Sequence, residues 1–163
     1  MKVSIIIPTL NEAENIGRLI ERLMATKNNG LLSDLIVVDG GSEDQTVAIA
    51  IEAGARVIQS LPGRALQMNC GVEQTSGELL YFVHGDTLPP EDCLDKILLA
   101  VAEGYPVGCF RFRFDSDSWL LKLNAYFTRF NQIWCRGGDQ SLFITREVFN
   151  ALGGYRNDYR IME

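Results

Sequence analysis

An α/β fold with a mostly parallel sheet flanked by helices is what this sequence predicts, and three features carry the prediction. Short apolar runs of strand length alternate with segments whose apolar residues recur at helical spacing. Each of the first four runs leads at once into a polar cluster, placed where an open α/β sheet carries its ligands, beyond the carboxyl ends of its strands. No internal repeat, low-complexity tract or linker interrupts the alternation. With 163 residues, 47% of them hydrophobic, the chain is expected to form a single domain over 1–163 with a core of its own.

The elements follow in order. "VSIII" (3–7) is a buried strand that Pro8 is expected to end. Asn11 and Glu14 have the spacing of a capping box, and Ile16, Leu19, Ile20 and Leu23 form one apolar helix face. "LIVVD" (35–39) is a second strand; Asp44 then caps the helix in "QTVAIAIEAG", which Gly54 stops. "RVIQ" (56–59) is a third strand, and a helix over 65–74 follows "PGR". "ELLYFVH" (78–84) is a fourth, after which Pro89, Pro90 and Glu91 open a helix running to Ala102. In "CFRFRF" the residues Phe110, Phe112 and Phe114 alternate with Arg111 and Arg113, as in a strand with one covered and one solvated face. A helix over 118–130, a strand "SLFIT" (141–145) and a helix over 146–152 complete the pass, with a sheet edge near Phe143 that would favour self-association.

The net charge of −6 and the lack of any Lys/Arg run exclude a nucleic-acid reader, which needs a basic footprint. A diphosphate-bearing small molecule remains open, because a metal ion can supply the positive charge locally. Cys70, Cys93, Cys109 and Cys135 are widely spaced and form no CxxC, so zinc spacing is absent and free thiols in a reducing cytoplasm are expected. The apolar run at the N-terminus is too short for a signal sequence or a membrane span, and no later window reaches spanning length. Membrane contact, if any, is expected to be peripheral.

Four clusters carry the chemistry. "PTLNE" (8–12) follows the first strand. In "DGGSEDQT" (39–46) the Asp39 carboxylate is placed to accept hydrogen bonds from ribose hydroxyls or a base N–H, although strand-end Asp-Gly is equally ordinary turn chemistry. In "LPGRALQMN" (61–69), Arg64 near a helix start can meet a diphosphate with its charge and the helix's free N–H groups; a solvated loop arginine is the plain alternative. In "HGDT" (84–87), side chains two apart on an extended chain share a side, so His84 and Asp86 can converge on one cation. A lone histidine ending an apolar strand is otherwise a hydrogen-bonded structural residue. The first strand is followed by no GxGxxG, and the chain has no GxxxxGK[ST] and no GxSxG, which removes dinucleotide, P-loop and serine-hydrolase readings. A nucleotidyltransferase would want a Gly-rich, basic loop where the acidic "PTLNEAEN" stands.

Taken in register, "SIIIPTLNEAENI" (4–16), "IVVDGGSEDQT" (36–46), "GRALQMNCGVEQTSGELLYFVHGDT" (63–87) and "GGDQSLFITREVFNALGGY" (137–155) resemble the family 2 glycosyltransferases of the GT-A fold. The variant with HxDT in place of DxD, followed by GDQ, is the most similar subgroup. The resemblance implies an inverting, hexosyltransferase-like transfer of a sugar from a nucleotide-diphosphate sugar to a saccharide or lipid acceptor, as in cytoplasmic polysaccharide or glycolipid synthesis. It implies that Pro8, Thr9, Asn11, Glu12 and Asp39 surround the nucleoside, with Gly40, Ser42, Arg64 and Asn69 as further donor-side residues. It places Asp86, with His84 at the first metal position, on a divalent metal, Mg²⁺ or Mn²⁺. Gly138, Asp139 and Gln140 would line the acceptor side. The family's base sits in an acidic pair beyond the Gly-Gly-aromatic turn; only its first position, Glu163, is present, so Glu163 is the candidate base and an acceptor-side segment is expected to be missing. A nucleotide-sugar-binding module without turnover is the alternative.

Overall fold

The computed structural model describes residues 1–25, 30–110 and 141–156. Among the described residues six strands form one sheet: β1 (Val3–Thr9), β2 (Leu32–Asp39), β3 (Arg56–Gln59), β4 (Leu79–Phe82), β5 (Val107–Cys109) and β6 (Leu142–Thr145). The helices are α1 (Ile16–Ala25), α2 (Thr46–Glu52), α3 (Arg64–Glu73), α4 (Cys93–Ala102) and α5 (Arg146–Leu152). Strand order is β3-β2-β1-β4-β6-β5, and among the described strands β6 alone runs against the others. The predicted α/β architecture is therefore the observed one, with its carboxyl ends gathered along one edge as parallel pairing requires.

The period of two in β1 divides the core. Val3, Ile5 and Ile7 pack with Ile16, Leu19, Ile20 and Leu23 of α1 and with Leu94 and Ile97 of α4. Ile6 faces the other way, with Ile36, Val38, Leu80 and Phe82, against Met68 and Val72 of α3 and Phe149 of α5. Helix α3 lies close on the sheet because it carries Gly71 there: a Cβ at that position would run into Ile6 and come within 3.1 Å of Val38.

Several expectations are corrected. Pro8 does not end β1; it lies inside the strand, opposite Val38. The Ile6 carbonyl accepts from Val83 N–H (3.1 Å), so the even residues of β1 aim their backbone groups at β4, whose pairing stops at Phe82. The missing N–H of Pro8 therefore faces no partner strand. Asn11 caps no helix: its backbone is left-handed, φ 57°, and its side chain turns to the loop after β2. β4 ends at Phe82 rather than at residue 84, because a turn closed by Thr87 N–H on the His84 carbonyl (3.0 Å) bends the chain away. Phe143 is not at a sheet edge: β6 is interior, Phe143 is buried, and its ring covers Gly108 of β5, the outermost strand among the described residues. Strand order is not written in a strand's own sequence, which is why the edge was misplaced. By contrast, β3 and α5 fall where the sequence put them, and Gly54, φ 90°, stops α2. Asp44 accepts Thr46 N–H (2.9 Å) in an Asx turn just before the helix, but the N-cap is Gln45, which makes no side-chain cap bond.

The alternation beyond Phe110 (Arg111, Phe112, Arg113, Phe114), Cys135, the helix expected over 118–130, Gly138, Asp139, Gln140 and Glu163 lie outside the described residues. Cys70 and Cys93 are free thiols, and burial pushes the Cys93 pKa up to about 11. Among the described residues no helix is long and apolar enough to cross a membrane.

Candidate functional site

β1, β2 and β4 deliver their loops to the same edge of the sheet, and the first two loops are sewn together. Asn11 N–H donates to Ser42 Oγ (2.9 Å), and Glu43 N–H donates back to Asn11 Oδ1 (2.9 Å). Glu12 N–H donates to Thr46 Oγ1 (2.8 Å), and Ala13 N–H to Asp44 Oδ2 (3.2 Å). Donors that a loop would otherwise show to water are satisfied across to its neighbour, so residues 11–13 and 42–46 form one rim. The Thr46 hydroxyl, then its N–H, hold Asp44 below the usual carboxylate range.

Asp39 sits beneath this rim and is only 1% exposed. Its Oδ2 accepts from Gly41 N–H (3.0 Å) and Ser42 N–H (3.0 Å), and its Oδ1 from the Ser42 hydroxyl (2.5 Å). Turn chemistry is therefore present at Asp39, whose carboxylate accepts from the residues that follow it. Gly41 has φ 98°, which lets the backbone fold both donors onto that carboxylate. Thr9 and Pro8 are likewise buried, whereas Asn11 is exposed and Glu12 and Ser42 are half-buried. Ser42 relays between the loops, accepting from Asn11 and donating to Asp39.

The loop after β4 meets the rim through Glu12. A Cβ on Gly85 would stand 2.8 Å from Glu12 Cγ and 3.2 Å from Glu12 Cβ, so the Glu12 side chain rests on the His84–Thr87 turn. Glu12 Oε2 also accepts from Asn15 Nδ2 (3.3 Å). In the turn, His84 is half-buried and Asp86 exposed. The extended geometry expected to bring His84 and Asp86 to one side gives way to a turn with Gly85 and Asp86 at its centre. Among the described residues no group of three His, Cys, Asp or Glu side chains could hold a metal ion. The single exposed carboxylate of Asp86 fits only a cation such as Mg²⁺ or Mn²⁺ that arrives with a diphosphate, because that ion needs one or two carboxylates and takes its other oxygens from phosphate and water.

Arg64 opens α3 and is exposed. Asn69 Nδ2 donates to the Tyr155 carbonyl (2.8 Å) and its Oδ1 accepts Tyr155 N–H (2.9 Å). That clasp fixes the Gly153–Gly154 turn while the Tyr155 ring packs edge-on against Phe82.

One residue was missed by the sequence reading. Gln67, 4% exposed, donates through Nε2 to the carbonyls of Thr9 (2.8 Å) and Val38 (2.8 Å). Its signal was a polar residue four before Gly71, on the buried face of α3 with Met68 and Val72. Gly40 belongs to the same arrangement, since a Cβ there would meet the Gln67 amide at 3.1–3.4 Å. A hollow of about 190 Å³ bordered by Met24, Asp34, Gly54 and Arg56 lies at the amino ends of β2 and β3, away from these loops.

The glycosyl transferase family 2 model matches residues 4–152. The chain belongs to that family. It is 30% identical over 142 residues to the undecaprenyl-phosphate 4-deoxy-4-formamido-L-arabinose transferase of Proteus mirabilis, covering 78% of this chain and 44% of that one. Over 98 residues it is 33% identical to the glucosyl-3-phosphoglycerate synthase of Mycolicibacterium smegmatis, 55% of this chain and 32% of the relative. The chain thus spans less than half the length of these curated relatives. Among solved structures, a mannosyltransferase from Pyrobaculum calidifontis in complex with GDP-Man and Mn²⁺ superposes with a TM-score of 0.72 at 21% identity, over 96% of this chain and 48% of that one. The Mycobacterium tuberculosis glucosyl-3-phosphoglycerate synthase with Mg²⁺ and UDP does so at 0.69 and 21%, over 91% and 57%. The fold of this family 2 member is therefore of the GT-A type.

Proposed function

We propose that this family 2 domain binds a nucleotide-diphosphate sugar and transfers the sugar, with inversion, to a saccharide or lipid-linked acceptor. The observation that carries this reading is the convergence of three loops at one sheet edge, with Asn11 and Asp86 exposed and Glu12 lying between them. Support also comes from relatives named for sugar transfer to a lipid phosphate or a phosphoglycerate, and from structural neighbours holding UDP or GDP-Man with a divalent metal.

The geometry supports the following roles. Buried Asp39 does not face solvent; it holds the Gly41–Ser42 turn so that the rim is already formed before a nucleoside arrives. Asn11 and Ser42 present the polar edge of that rim. Arg64, at the start of α3, brings positive charge and free backbone N–H groups towards a diphosphate. Asp86 would hold the metal with the diphosphate, and His84 would join it, bond a phosphate or orient Asp86. Bound there, Mg²⁺ or Mn²⁺ would supply Lewis-acid neutralisation of the charge that builds on the leaving nucleoside diphosphate. Gly138, Asp139 and Gln140 are assigned to the acceptor side and Glu163 to the base, on the resemblance alone.

Thermal unfolding with UDP, GDP or dTDP, each with and without Mn²⁺, tests the binding. At a hundredfold excess over Kd one of them with Mn²⁺ should raise Tm by about 5–10 °C, while Mn²⁺ alone leaves it unmoved. No shift with any pair sinks the proposal. Binding without release of nucleoside diphosphate from a panel of donor sugars would leave the module without turnover as the better description.

A further inference from the structure

We propose that Gln67 is a positioning residue of the donor site: its buried amide ties the carboxyl ends of β1 and β2 together and so sets the spacing of the two loops that form the rim. The inference rests on the donor-site reading and adds to it a residue outside the loops themselves.

Both hydrogens of the Gln67 amide are used in this bridge. Nε2 lies 2.8 Å from the Thr9 carbonyl on β1 and 2.8 Å from the Val38 carbonyl on β2. Thr9 is in the last pair of β1 with β2, opposite Asp39, and Val38 is one residue earlier: Gly40 N–H donates to the Thr9 carbonyl (2.9 Å), and beyond it the chains part into Leu10–Ala13 and Gly41–Thr46. The bridge comes from a third element, α3, so it fixes the strand ends against a helix packed on the sheet. Gly40 leaves the room it needs, because a Cβ there would stand 3.1 Å from Nε2 and 3.2 Å from Cδ. A buried amide with two donors aimed at two carbonyls is a directional link that an apolar side chain of equal length does not replace. The residues downstream of the link are Asn11, Glu12, Asp39 and Ser42, the same ones that carry the rim.

The test uses the full chain and three variants. Gln67→Met keeps length and burial but removes both donors; Gly40→Ala presses on the amide from the other side. Val72→Ala, in the core on the same helix, is the control for general loss of stability. Nucleoside diphosphate affinity with Mn²⁺ is measured well below each Tm, using whichever of UDP, GDP and dTDP the wild type binds, alongside amide hydrogen exchange of the free proteins. Gln67→Met should weaken binding about tenfold or more and speed exchange at 10–13 and 41–46 by a similar factor, with Val72→Ala binding as wild type does. Gly40→Ala should move both readouts the same way, and it decides the matter if Gln67→Met fails to fold. Wild-type affinity and loop exchange in the two site variants would overturn the role of Gln67 alone. No binding by the wild type to any nucleotide would overturn the donor-site reading, and this inference with it.

Discussion

Among the described residues, Asn11 is the only non-glycine with a positive φ, and the reason is visible in its side chain. Asparagine tolerates the left-handed region, and here its Oδ1 accepts Glu43 N–H while its own N–H reaches Ser42. Two substitutions separate the parts. Asn11→Gly keeps the backbone and loses the acceptor, which should cost about 1 kcal/mol; Asn11→Ala loses both and should cost about 1 kcal/mol more. Denaturant unfolding gives the order directly, and equal stability of the two variants would refute the account. Asp86 supports a second residue-scale prediction. Asp86→Asn should abolish the difference between nucleotide binding with and without Mn²⁺, a loss of about tenfold or more in affinity, and leave Tm of the free chain unchanged because Asp86 is exposed. His84 is decided by comparison: as a metal ligand, His84→Asp restores Mn²⁺-dependent affinity that His84→Ala lacks, and equal affinity of the two assigns it to orientation.

At the scale of elements, α3 links core and site. Its buried face carries Gln67, Met68, Gly71 and Val72. Gly71 allows the close approach that brings Gln67 within reach of two strands, so Gly71→Ala should cost about 1–3 kcal/mol by overpacking against Ile6 and Val38. Its nucleotide affinity should fall as well, read by titration below the lowered Tm; intact affinity would separate the helix from the site. The helix itself was legible from spacing, as were β3 and α5, because a period of 3.6 or 2 is a local property. The bridge from Gln67 was not, since a glutamine's partners depend on which strands end beneath it. The same limit explains Pro8 and Phe143: both were misread because their meaning depends on a neighbouring strand, Pro8 on where β4 stops pairing and Phe143 on β5 lying beyond it. The His84–Thr87 turn failed for a local reason, as Gly85-Asp86 favours a turn over the extended chain assumed. Asp39 was legible as a turn residue, and the three donors at its carboxylate show that role in place.

Seen as a whole, the two ends of the sheet are treated oppositely. The carboxyl ends open into loops whose outer groups face solvent, while the amino ends are closed by side chains. Asp34 Oδ2 accepts from the Ser4 hydroxyl (2.7 Å) and Ser76 N–H (3.0 Å), joining β1, β2 and the turn into β4. Arg146 at the start of α5 donates to the Gly77 carbonyl (2.7 Å), the Val72 carbonyl (3.1 Å) and Thr75 Oγ1 (3.0 Å), fastening that helix to the same turn. The amino end is thus tied by side chains of β1, β2 and α5, at the opposite end of the sheet from the loops joined by Asn11, Ser42 and Gln67. Partial burial alone would raise the Asp34 carboxyl, but the hydrogen bonds from Ser76, Ser4 and Ser33 outweigh it and hold it below its ordinary 3.8. A lowered folded value means that Asp34 contributes its stability above the ordinary carboxylate range and loses it as pH falls through the lowered value. Asp34→Asn should therefore have a lower Tm than the wild type near neutrality, by a few degrees, with the gap closing as pH is taken below 3.8. Unfolding of both chains across that range checks the sign, and a gap that stays constant or widens in acid would show that the amino-end closure does not depend on the Asp34 charge.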